Sequence, residues 1–131
     1  MLTMIGTVTV QVTDQDKALA FYTQKLGFEL RGDQPIGPGQ RWLEVAPPGA
    51  QTRIVLYKAS PEMPGAESYE AAQASIGKPT GMVLEVDDIV ATFAKLKAEG
   101  VRIVDDAAQQ PWGGWLGVFA DQDGNTYFVA Q

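Results

Sequence analysis

Thr7, Thr9 and Gln11 alternate with Val8, Val10 and Val12 near the start of the chain, a period-2 pattern that predicts a half-buried strand over residues 5–12. Asp14 and Asp16 offer N-caps, and Ala18, Phe21, Tyr22 and Leu26 then recur at helical spacing up to Gly27, placed for a left-handed C-cap. A degraded copy of this stretch returns over residues 81–101: a valine-containing strand, the acidic turn Asp87-Asp88, a helix with Ile89, Phe93 and Leu96 on its apolar face, and a stop at Gly100. Each glycine is followed by a new apolar segment, Phe28-Glu29-Leu30 in one copy and Val101-Arg102-Ile103 in the other. An internal repeat outranks any local motif in deciding a fold, so the chain reads as two copies of one module.

The rest of the pattern fills out both copies. Phe28 to Arg31 predicts a short strand, Gly32 to Gly39 a loop, and Arg41 to Ala46 and Thr52 to Lys58 two further strands. Residues 59–80 form a link in which Ser68 to Ser75 has the composition of a short helix. In the second copy, Val101 to Val104 predicts a strand and Asp105 to Gly114 a loop. Trp115 to Ala120 and Thr126 to Ala130 predict a hairpin across Asp121-Gln122-Asp123-Gly124-Asn125. The expected fold is α+β: paired β-α-β-β-β modules over 1–58 and 81–131, joined by 59–80 within one structural domain. Eight strands would lie in curved mixed sheets, with helices outside and a concave ligand cavity within.

Composition narrows the chemistry. The chain of 131 residues has no histidine and no cysteine. The commonest general base and transition-metal ligand are therefore absent, as are disulfides and thiolate metal sites. A net charge of −6 argues against nucleic acid and is compatible with a cationic ligand. No apolar run is long enough to span a bilayer, and the N-terminus lacks a basic region leading into an apolar one, so the cytoplasm is the expected location.

VTDQDKALAFYTQKLGF, the strand RWLEVAPPG, the turn VDDI and the terminal DQDGNTYFVAQ closely resemble the vicinal oxygen chelate superfamily. That group includes glyoxalase I, extradiol dioxygenases, fosfomycin-resistance enzymes and bleomycin-resistance proteins. The resemblance implies a homodimer with its small-molecule site in the sheet's concavity. It also implies four metal-ligand positions, which fall here on Thr7, Val55, Gly81 and Phe128. A weak hydroxyl, a valine, a glycine and a phenylalanine do not make a chelate, so neither metal nor cofactor is expected. The nearest precedent within the resemblance is the metal-free bleomycin-resistance branch, which sequesters its drug.

The period-2 rule extends those positions into a cavity lining. Thr7 carries Thr9 and Gln11 with it, Val55 carries Arg53 and Tyr57, Gly81 carries Val83 and Glu85, and Phe128 carries Thr126 and Ala130. The candidate ligand-binding set is Thr7, Thr9, Gln11, Trp42, Arg53, Val55, Tyr57, Glu85, Trp112, Trp115 and Phe128. Its indoles suit stacking on aromatic or cationic compounds, or, for Trp42 and Trp115, packing in a core or an interface. Glu85 and Arg53 either meet a charged ligand group, pair with each other, or lie in solvent at strand ends. Three functions are open: sequestration of an antibiotic or other toxic molecule, a metal-independent lyase or isomerase with Glu85 as general base and Gln11 or Arg53 as polariser, and a metal enzyme with Glu44 and Glu85 as non-standard ligands.

Overall fold

The computed structural model describes every residue from Met1 to Gln131. The elements follow as β1 (Thr7–Gln11), α1 (Gln15–Ala20) continued by a π-helical turn (Phe21–Lys25), β2 (Glu29–Gly37), β3 (Gln40–Ala46), β4 (Arg53–Tyr57), α2 (Tyr69–Ser75), β5 (Pro79–Glu85), α3 (Ile89–Ala98), β6 (Arg102–Gln109), β7 (Trp115–Ala120) and β8 (Thr126–Ala130). Eight strands form two open mixed sheets, ordered β1-β4-β3-β2 and β5-β8-β7-β6. In both, the first strand pairs in parallel with the fourth and the other pairings are antiparallel. The duplication expected from the sequence is thus present strand for strand, and the fold is α+β.

The backbone divides into two compact units, Met1–Ile76 and Gly77–Gln131. In the first, Asp14 caps α1 by accepting from the Lys17 amide at 3.0 Å. One face of the sheet buries Val10, Leu43, Val45, Ile54 and Leu56, and Ala18, Phe21 and Tyr22 of the helical segment are buried as well. The opposite face carries Val55 and Tyr57, which pack with Ala59 and with Ala72 of α2. In the second unit, Asp88 caps α3 through the Ala91 amide, and Ile89, Phe93 and Leu96 are buried with Phe119, Tyr127 and Val129. Phe119 and Tyr127 stack at 5.4 Å between ring centres.

Two segments expected as loops, 32–39 and 105–114, begin as strand. β2 runs on to Gly37 and β6 to Gln109, each with two irregularities in its pairing. Bulges of this kind break the alternation by which a strand is recognised. Both strands are also sheet edges, where Pro35 can sit without leaving a ladder hydrogen bond unmade.

Asp121 closes the β7–β8 turn internally. Its carboxylate accepts from the backbone amides of Asp123 and Asn125 at 2.8 and 3.0 Å and from the Asn125 side-chain amide at 2.9 Å. Asn125 Oδ1 in turn accepts from the Gly77 amide at 2.8 Å. This is hairpin chemistry, and it occupies the acidic side chain that a cation would need.

Candidate functional site

Strands β1, β3 and β4 present Thr9, Gln11, Trp42 and Tyr57 to one pocket of about 350 Å³. The register explains the grouping: Thr9 lies opposite Val55 and Gln11 opposite Tyr57, so these side chains share a face. The outer wall is Ile36 of β2 with Gly65, Ala66 and Glu67 of the segment that leads into α2.

That segment is held down on the aromatic wall. Tyr57 Oη donates to the Met63 carbonyl at 2.8 Å, Ser60 and Met63 exchange backbone hydrogen bonds at 3.1 and 3.3 Å, and Gln40 Nε2 donates to Ser60 Oγ at 3.1 Å. Gly65 has φ +93°, and a Cβ there would stand 3.2 Å from the Tyr57 ring, so glycine is needed both for the backbone and for the approach. Trp42 and Tyr57 meet edge to face, 6.4 Å between centres. The Trp42 indole is fixed by a 2.7 Å hydrogen bond that its N–H donates to Glu44 Oε2, two residues along the same strand face.

Glu44 and Arg53 form the neighbouring ion pair, Nε to Oε1 at 2.8 Å. The Arg53 guanidinium, together with the Trp42 N–H, holds the Glu44 carboxyl below its ordinary range. Arg53 therefore pairs with Glu44, and the Arg53–Glu85 pair that the sequence leaves open is not formed. Arg41 is likewise committed, to Asp33 at 2.7 Å and Asp16 at 2.6 Å, which raises its already high pKa further.

The remaining candidates do not line this pocket. Thr7 lies opposite Arg53 in the register. Val55 is fully buried beneath α2, a core residue in this fold. In the second unit, Glu85 is exposed at the end of β5 opposite Ala130, and Phe128 is 43 % exposed between Val83 and Val118. Trp115 pairs with Gln109 at the start of β7. Trp112 tops the β6–β7 turn, 71 % exposed, its ring close over Gly114. Ile36, Gly65, Ala66 and Glu67 were not anticipated. Their only sequence signal is a lone large apolar residue, Ile36, in a stretch of glycine and proline.

The four strand positions that the resemblance assigns to metal ligands do not fit a metal: they offer a hydroxyl, an isopropyl group, a hydrogen and a phenyl ring. No group of three His, Cys, Asp or Glu side chains converges anywhere in the chain. No helix is long and apolar enough to cross a membrane.

Comparison with known proteins gives a consistent set of relatives. The model of the Glyoxalase/Bleomycin resistance protein/Dioxygenase superfamily matches residues 4–127. The uncharacterised protein YetH of Bacillus subtilis (strain 168) is 40% identical over 131 residues, all of both chains. A superfamily member from Sphaerobacter thermophilus DSM 20745 superposes with a TM-score of 0.81 at 32% identity, covering 98% of this chain and 97% of its own. TnmS3, an antibiotic binding protein from Streptomyces sp. CB03234, superposes with a TM-score of 0.78 at 38% identity, covering 99% and 96%.

Proposed function

Since the chain belongs to the Glyoxalase/Bleomycin resistance protein/Dioxygenase superfamily, we propose that it is a metal-free member that binds and sequesters a small organic molecule with a flat apolar body. The observation that carries this reading is the pocket of Thr9, Gln11, Trp42 and Tyr57, whose aromatic walls are fixed by hydrogen bonds before any ligand arrives. Preorganised aromatic surface lowers the ordering cost of binding. The antibiotic-binding neighbour at 38% identity supports a toxic or antibiotic compound as the ligand class. The side chains at Thr7, Val55, Gly81 and Phe128 support the absence of a catalytic metal, and Glu44, engaged by Arg53 and Trp42, is a poor recruit as a substitute ligand. The working form is a cytoplasmic homodimer.

The test is tryptophan fluorescence of dialysed protein titrated with planar aromatic drugs, with metal content read on the same sample. Saturable quenching, lost on Trp42→Phe, with less than stoichiometric metal and no change in the recovered compound is the expected result. Conversion of a bound compound, or a stoichiometric metal that survives chelation, overturns it.

A further inference from the structure

Glu67 is the one carboxylate among the residues that line the pocket. The carboxylate that holds the Trp42 indole, Glu44, is neutralised by Arg53, and Glu67 has no such partner. It lines the pocket, is exposed, and forms none of the ion pairs of the first unit. Its contact is a long, 3.3 Å hydrogen bond from the Gln11 side-chain amide, a neutral donor. Gln11 is itself largely buried, at 9 % exposure, so the carboxylate is held over the pocket by a group anchored in the strand.

From this placement we infer that Glu67 is the specificity-determining residue of the pocket and that the ligand is an organic cation, an ammonium or amidinium group on an aromatic body. The inference rests on the proposed binding function and adds the charge of the ligand to it. Three features converge. A cation accepted by Glu67 replaces a weak neutral contact with a charge-assisted hydrogen bond. The face of Trp42, which is only partly buried, carries negative quadrupole density that attracts the same charge and stacks the body. An anionic ligand would meet an unneutralised carboxylate at the mouth, and the net charge of −6 disfavours its approach. Glu67 sits three residues past Pro64, on the segment held to Tyr57 through Met63, so cation capture and closure over the aromatic wall involve one stretch of chain.

Isothermal titration calorimetry of the full chain with naphthylmethylammonium and its neutral isostere naphthylmethanol separates binding by the aromatic pocket from selection by charge. Affinity for the alcohol reads the aromatic pocket alone, and the ammonium-to-alcohol ratio reads Glu67. The expected result is an ammonium preference of about 10-fold at low salt, which shrinks as ionic strength rises and falls several-fold in Glu67→Gln. Glu67 is exposed, so an unchanged melting curve is expected for the variant. Equal binding of both compounds by the wild type overturns the charge selection and leaves the pocket standing. A preference undiminished in Glu67→Gln overturns the role of Glu67 and transfers it to the Trp42 face and the overall acidity of the chain. Binding of neither compound overturns both readings.

Discussion

Glu44 links stability to the pocket. Its two oxygens are divided between Arg53, which ties β3 to β4, and the Trp42 indole, which forms part of the aromatic wall. Both donors favour the ionised carboxylate, so its folded pKa lies below the ordinary value of 4.5. The unfolded chain then takes up the proton first as pH falls. The contribution is complete above about pH 4.5 and is lost as pH drops through the lower folded value. The side chain is 17% exposed, and a partly screened pair of this kind is worth about 1 kcal/mol. Urea unfolding of wild type and Glu44→Gln at a series of pH values should show the wild type losing about that much more between pH 5 and 3. Parallel curves would mean that Glu44 contributes nothing through its charge. Asp33, held low by Arg41, titrates the same way in both proteins and cancels from the difference.

At the level of elements, α3 docks on its sheet through an absent side chain. A Cβ at Gly117 of β7 would lie 2.3 Å from Phe93 Cζ, and Phe93 is 1% exposed, so neither partner has room to move. Gly117→Ala is expected to cost about 1–3 kcal/mol by overpacking. Trimming the ring in Gly117→Ala/Phe93→Leu should return part of that loss, and thermal melts of the two variants would read it. Packing of this kind is invisible in sequence, where Gly117 looks like a weakness in a strand. What was legible follows the strength of the period. β7 and β8 begin and end where the alternation puts them, because a tight turn closed by Asp121 fixes both ends. β2 and β6 were cut short because bulges interrupt their alternation. The spacing of Ala18, Phe21, Tyr22 and Leu26 predicts a helix after β1, and its second half widens to a π-turn, with the Leu26 amide reaching the Phe21 carbonyl at 3.3 Å. Adjacent Phe21 and Tyr22 are both buried there, which a regular amphipathic helix accommodates less readily. The same distinction governs the pocket. Thr9, Gln11 and Tyr57 lie on regular strands, where the alternation gives the face they share. Ile36 and Glu67 lie in a bulged edge and an irregular segment, where no periodicity points a side chain anywhere.

Across the whole molecule the two sheets share one strand order but differ in what lies on the face opposite the main helix. In the first unit, α2 and the residues before it cover Val55 and Tyr57. In the second, the row Val83, Phe128 and Val118 and the adjacent Leu116 form an apolar strip, with Val83 53% and Phe128 43% exposed. Isolated exposed apolar residues need no explanation, but a contiguous row across three strands of one sheet is apolar area that association would bury. A second copy of the chain is the occupant that fits the proposed homodimer. Sedimentation at micromolar concentration should therefore give about twice the 14.1 kDa chain mass. Phe128→Asp places a charge in the middle of the strip and should shift the protein to monomer. Because Phe128 is half exposed, its far-UV spectrum and melting behaviour should stay close to the dissociated wild type. A wild type that sediments as a monomer would remove the dimer from the proposal, and a variant that remains dimeric would place the interface elsewhere.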